Sequence, residues 1–338
     1  MKRREFLKAG TAGIAGAAVA GGGGLLAWSP RAHASTLNRT YYITEDYITE
    51  PDGAQVYFQG FSDSASMLNV PGKPIIVQEG DTVNLTIVNT LGSTHSFVID
   101  GLVDSGTIGG GQTRSFSFTI PTNQGKAGSY MFYDAQNAPY NRLAGLHGGV
   151  AVMPYNAGNQ LYAGSPTFVQ QYFWLFHDID PNWNDAVRRG LTPSTTFTPR
   201  YFTINGLTSR PPGDPNHDNP DIDAMSNLDT ALHGQIGDRT LVRMMNAGLA
   251  VHSVHAHGNH MEWLTHNGTV RDYVWHKDVL RVDPNMGRTD MIYPFEPPPD
   301  AYPAVTTGCY PMHLHDEMTQ TAGGGRYMFG ALTDIYFD

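Results

Sequence analysis

One half of this chain is written over the other. Gly80-Asp81, Asn89, His95 and Gly101 return as Gly237-Asp238, Asn246, His252 and Gly258, always 157 residues later. Further along, Gly128-Ser129-Tyr130 returns as Gly308-Cys309-Tyr310 at a spacing of 180. Matches in constant order mean two copies of one folding unit, the second carrying 23 additional residues. The Pro/Asp-rich stretch from Asp283 to Asp300 is where that surplus is expected. Apolar runs bounded by turn residues dominate both copies, as in residues 73–78, 82–88, 115–120, 240–245 and 273–275, and helical periodicity is nearly absent. The fold class is therefore all-β, two tandem Greek-key β-sandwiches. The join falls where Gly, Asn and Ser cluster between Pro154 and Pro166, giving domains at 35–160 and 161–338.

Residues 1–34 read as a leader rather than part of either unit. Lys2-Arg3-Arg4-Glu5-Phe6-Leu7-Lys8 is a twin-arginine signature, followed by an Ala/Gly-rich stretch and a small-x-small site at Ala32-His33-Ala34. Residues 9–29 are too poor in Leu, Ile and Phe for a membrane anchor. The expected location is periplasmic or secreted. The whole chain carries a net charge of −10, and loss of the leader makes it more acidic. Nucleic acid and anionic membranes are thus excluded as partners, and no membrane span is expected in the mature chain. With Cys309 as the sole cysteine there is no internal disulfide, so core burial and subunit association must supply the stability.

The chemistry is concentrated in His252-Ser-Val-His255-Ala-His257-Gly258 and Met312-His313-Leu314-His315. Residues i and i+2 of a strand share a face. His255 and His257 can therefore converge with His313 and His315, while His252 and Leu314 belong to the opposite face. Four imidazoles are a ligand set for copper, and after it zinc. Four neutral rings facing one another without metal would need matched donors and acceptors.

These segments resemble the multicopper oxidase family, the cupredoxin-fold group that includes two-domain laccases and copper nitrite reductases. The resemblance covers essentially the whole chain after the leader. In that family a His-x-x-His-x-His-Gly segment gives one ligand to a type 1 copper and two to a type 2/type 3 cluster. A Gly-x-Tyr/Trp-x-x-His-Cys-His segment gives the type 1 thiolate between two cluster histidines. His252, His255, His257 and Gly258 match the first, and Gly308, Tyr310, His313 and His315 match the second. Leu314 stands where the thiolate would be, and Thr319 lies near the place of the other type 1 histidine. In the first copy only His95 survives: Val98 and Asp100 replace ligands, Tyr133 stands opposite His313, and Asp134 takes the thiolate position.

The resemblance therefore implies two cupredoxin-like domains, the second His-rich, with metal ligands His255, His257, His313 and His315, and with His252 at a type 1 position. Type 1 copper is expected to be absent, and a full trinuclear cluster cannot be assembled from identical chains. Standard laccase or nitrite reductase turnover is excluded on this reading, because the thiolate relay is missing. The resemblance also implies homotrimers with metal sites between domain 1 of one chain and domain 2 of the next, and a small-molecule or redox-protein electron donor. Three readings stay open: a copper-dependent oxidoreductase at a His-only site, a non-enzymatic copper-binding or structural protein, and a zinc site. A rival register would join Cys309, His313, Met318 and His252 in a blue copper centre. His260 and His266 are further ligand candidates, and Asp316-Glu317 could orient an imidazole.

Overall fold

The computed structural model describes residues 25, 26, 28, 33–122, 124–209, 230–299 and 304–338. Two β-sandwiches follow one another along the chain. The first packs a sheet ordered Gln55–Ser62, Thr36–Thr49, Thr82–Asn89, Thr113–Thr119 on another ordered Gly72–Gln78, His147–Met153, Gly128–Tyr133, Val98–Ile99, Val103–Asp104. The second repeats this order. Tyr201–Ile204, Gln170–Ile179, Arg239–Asn246 and Arg288–Pro294 begin one sheet, and Leu232–Gly234, Leu332–Phe337, Gly308–Leu314, His252–Ala256 and Val279–Val282 form the other. Parallel and antiparallel pairings agree strand for strand.

The repeated residues recur because each copy needs the same turn chemistry. Gly80 (φ +92°) and Gly237 (φ +99°) sit in the left-handed region, which a side chain would resist. Asp81 and Asp238 each accept the backbone N–H three residues back, from Gln78 and Gln235, both at 2.9 Å. Asn89 and Asn246 close identical turns, accepting from the N–H two residues on (Leu91 and Gly248) and donating to the carbonyl four residues on (Ser93 and Ala250). Only the position of the surplus differs from expectation. Arg288–Pro294 is a central strand, pairing Arg239 with Pro294 as Thr82 pairs with Thr119. The spacing has already grown to 175 there, so most of the surplus precedes it, in the hairpin Met261–His266/Thr269–Lys277 that extends the second sandwich's sheet to six strands.

Alternation fills both cores. Tyr41, Phe61, Phe97 and Phe132 pack together in the first, with the Phe97 and Phe132 rings stacked at 5.0 Å. Trp174, Phe176, Met244, Val254, Met312 and Leu314 fill the second. Each such side chain contributes about 1.5–3 kcal/mol. Between the sandwiches, Met131, Phe173, Leu175 and Met245 make an apolar seam. Beside it lies Arg243, fully buried, donating to Gln171 Oε1 and Ser129 Oγ, both at 3.0 Å. Ser129 in turn donates to Asp290, whose other oxygen accepts from Thr265 at 2.6 Å. Burial pulls the Arg243 guanidinium down to about 10, and the Asp290 charge opposes that fall.

Most of the expected leader lies outside the described residues. Leu25 bridges to Tyr172, and Leu26 is buried in the apolar seam. Among the described residues, no helix is long and apolar enough to cross a membrane.

Candidate metal centre

Strands His252–Ala256 and Gly308–Leu314 are antiparallel neighbours in register, with His255 facing His313, Val254 facing Leu314 and Ala256 facing Met312. Along both, burial alternates. His252, Val254, Ala256, Met312 and Leu314 turn inward; His255, His257 and His313 are half-buried, and His315 is exposed. His257 and His315 lie just past their strand ends but remain tied to the ladder, their N–H groups donating to Pro311 O at 3.1 Å and Ser253 O at 2.9 Å.

The four rings converge. Centroid separations from His255 are 4.4 Å to His257, 5.2 Å to His313 and 4.7 Å to His315. His257 Nε2 and His313 Nε2 lie 3.2 Å apart. One nitrogen from each of His255, His257 and His313 falls within a sphere whose members are all within 4.8 Å of one another. With metal–nitrogen bonds of about 2.0–2.1 Å, neighbouring ligand nitrogens stand about 2.9 Å apart at right angles and about 3.3 Å apart in a tetrahedron. The His257–His313 separation fits both, so this donor set suits a late transition metal.

Neighbouring carbonyls select the tautomers. His255 Nδ1 is 3.1 Å from Asp278 O, and His313 Nδ1 is 3.2 Å from Leu314 O. A carbonyl only accepts, so each Nδ1 carries the proton and each Nε2 presents a lone pair. The Leu314 carbonyl also accepts from Gln320 Nε2 at 2.8 Å. His257 is fixed through its backbone, where its carbonyl accepts from Tyr293 Oη at 2.7 Å. Burial, then the charges of the other three histidines, pushes the His257 imidazole below its usual pKa. Burial also lowers His313, against the Leu314 carbonyl that favours its charged form. Both rings are therefore neutral near pH 7, as a metal requires.

His252 is not part of this group. It lies behind the strand, 1% exposed, with Nε2 3.0 Å from Asp178 Oδ1 and its ring against Phe176 at 5.3 Å. Burial would raise the Asp178 carboxyl, but His252 and the N–H groups of Leu249 and Ala250 hold it below the usual range. Asp178 was not anticipated from the sequence. The hint is two titratable residues, His177-Asp178, directly after the run Tyr172–Phe176 of a buried strand. Thr319 is buried and donates to Asp316 O, 2.5 Å away. The rival blue copper register fails on distance. Cys309 and His313 lie on one strand, and four residues of strand span about 13 Å, far beyond a shared metal.

The corresponding region of the first sandwich is differently furnished. His95 Nδ1 donates to Asp134 Oδ2 at 2.7 Å, and Asp134 also accepts from Ser96 N and Oγ, Asn141 Nδ2 and Gln136 N, all within 2.9 Å. Asp134 therefore has no lone pair left for a ligand role. On the outer face Tyr133 Oη donates to Asp100 Oδ1 at 2.9 Å, and burial with this bond pushes the phenol up to about 12. His260 is exposed, His266 lies 3.1 Å from Asp283 Oδ2, and Asp316 and Glu317 face solvent.

A sequence profile described as multicopper oxidase matches residues 56–157. The copper-containing nitrite reductase of Neorhizobium galegae is 24% identical over 238 residues, which are 64% of this chain and 57% of that protein. The chain thus spans under two thirds of that relative's length. Among solved structures, the multicopper oxidase mgLAC superposes with a TM-score of 0.68 at 20% identity, covering 90% of this chain and 87% of the other. The blue copper oxidase of Nitrosomonas europaea gives 0.67 at 19% identity, covering 89% and 85%. With the strand order, the repeat and these likenesses together, the chain has a two-sandwich, cupredoxin-like fold, similar to multicopper oxidases and copper nitrite reductases, and its first sandwich carries the match to the multicopper oxidase profile.

Proposed function

We propose that this is an exported copper protein whose metal is held by His255, His257 and His313, with His315 as a fourth donor, and which acts as an oxidoreductase without type 1 copper. The observation that carries the reading is the convergence of three half-buried imidazoles, two with Nε2 freed by carbonyl-bound Nδ1. Copper there would supply one-electron redox chemistry in a nitrogen field. The protein's part is to keep His257 and His313 neutral, fix the tautomers of His255 and His313, and leave the exposed His315 side open to a small molecule or a redox-protein donor. Zinc fits the same nitrogens less distinctively.

The absence of type 1 copper rests on three side chains. Leu314 fills the thiolate position with a core side chain, Thr319 offers no imidazole, and His252 lies behind the strand, 3.0 Å from Asp178 and apart from the other histidines. The units are residues 35–160 and 161–338 behind a twin-arginine leader ending at Ala34, the route to the periplasm or exterior. We further propose a homotrimer in which Asp100 and Tyr133 of one chain approach the histidines of the next. The non-enzymatic copper-binding reading is favoured by one observation: Asp134 is saturated by protein donors, so the first sandwich adds no ligand.

The test is metal content. Purified, copper-loaded chain should retain at least one copper with an EPR signal and no intense blue band, and His313→Ala should abolish uptake. No retained copper, or an unchanged His313→Ala variant, defeats the assignment. Oxidase assays on the loaded protein then separate enzyme from store.

A further inference from the structure

We propose that a cavity between the two sandwiches, walled by Glu50, His177 and Thr203, binds a small organic ammonium ion carried on an apolar body. The cavity has a volume of about 490 Å³, within the range of small-molecule sites. It shares no residue with the histidine cluster, and nothing in the proposed copper chemistry uses it.

Its polar groups are placed by the fold. His177 and Thr203 are cross-strand partners in the pairing of Gln170–Ile179 with Tyr201–Ile204, so their side chains stand side by side on one face. Glu50 enters from the first sandwich, directly after strand Thr36–Thr49. All three are at least nine-tenths buried, and two of them present polar atoms with no partner among the described residues. His177 Nε2 donates to Leu143 O at 2.9 Å, which leaves Nδ1 as a bare acceptor without a hydrogen bond. Thr203 Oγ1 is likewise unpartnered. The Glu50 carboxyl is 6% exposed and lines the same cavity. Buried polar groups left unpaired each cost about 1–3 kcal/mol, and two of them beside the Glu50 carboxyl on one cavity form a built receptor.

The chemistry of the occupant follows from what is offered. Glu50 and His177 Nδ1 are acceptors, and Thr203 can either donate or accept, so the ligand must bring donors. Asp52, close to Glu50 in sequence, adds negative charge, and among the described residues no lysine or arginine lines the wall. The nearby cations are already committed, Arg326 to Pro51 O at 2.7 Å and Arg200 to Gly323 O. Burial and Asp52 push the Glu50 carboxyl up to about 7, so a bound cation would relieve both effects. Burial holds His177 down at about 4 and keeps it a neutral acceptor. Ile48, Phe58 and Leu207 supply apolar wall for a hydrocarbon or aryl body.

Calorimetric titration of the full, metal-stripped chain with phenethylamine hydrochloride, at mildly alkaline pH, tests this. Phenethyl alcohol serves as its neutral twin. The amine should bind saturably at one site, and the alcohol should bind at least about tenfold more weakly, since a charge-assisted bond is worth ~1.5–3 kcal/mol. Glu50→Gln should cost the amine a similar factor, with folding checked by circular dichroism. Thr203→Val, which keeps the volume of the wall, gives a second readout as a smaller loss. His313→Ala should leave amine binding unchanged, so this proposal and the copper assignment fail separately. Absence of saturable amine binding, equal binding of amine and alcohol, or indifference to Glu50→Gln would overturn it.

Discussion

Replacing Asp134 with alanine should be among the most damaging single changes in this chain, although it touches no proposed copper ligand. The carboxylate is fully buried and accepts from five groups, His95, Ser96 N and Oγ, Gln136 N and Asn141, at 2.7–2.9 Å. Alanine leaves His95 Nδ1, Asn141 Nδ2 and the Ser96 N–H without an acceptor in a closed space, at about 1–3 kcal/mol apiece. Relaxation recovers part of this, and breaking a buried pair typically costs about 3–5 kcal/mol, so ~4 kcal/mol is expected. With a urea dependence of about 1–3 kcal/mol per molar, the unfolding midpoint should fall by roughly 1.3–4 M. Combining the change with His95→Ala should cost clearly less than the sum of the two, because the same bond is removed once. Copper uptake of the folded variant should not change. A midpoint shift below about 0.5 M, additive single mutants, or lost copper would refute the view that Asp134 is a structural acceptor rather than a ligand.

Two further outcomes are expected. Gly258→Ala should weaken copper uptake and cost about 1–3 kcal/mol of stability, since Gly258 has φ +84° and an added Cβ would lie 2.7 Å from the Tyr293 hydroxyl that holds the His257 carbonyl; titration with copper and urea melts measure both. The acid limb of stability should steepen in Glu50→Gln. The folded chain binds a proton on Glu50 below about 7, whereas the unfolded chain waits until its ordinary value of 4.5, so Glu50 adds stability as pH falls through that window. His177 works oppositely, because the unfolded imidazole protonates below 6.5 and the folded one only near 4, so stability drains away as pH falls between them. Removing the Glu50 contribution leaves that loss uncompensated. Urea midpoints between pH 7 and 4.5 that fall equally in wild type and variant would contradict the assignment.

What was legible in the sequence was whatever depends on local backbone periodicity. Strand alternation alone separates His255, His257 and His313 from His252 and Leu314, and the structure places them on those faces. The repeat was legible because Asp81 and Asp238, or Asn89 and Asn246, answer the same turn in each copy. Contacts across layers were not. Asp178 meets His252 from 74 residues away in a different sheet, and no spacing rule encodes that meeting. The Pro/Asp-rich stretch reads as surplus in sequence because its prolines mask a central strand, Arg288–Pro294. Glu50, His177 and Thr203 each look unremarkable in sequence and acquire meaning only when two sandwiches close over them.

The arginine sealed at the seam has a bearing on rigidity. Swinging one half of the chain against the other would drag Arg243 and Asp290 into water or tear them from Ser129, so the angle between the halves is set at folding and is not renegotiated afterwards. A substitution at Ser129 would therefore loosen the hold of one half on the other from inside the molecule, leaving every exposed residue as it was.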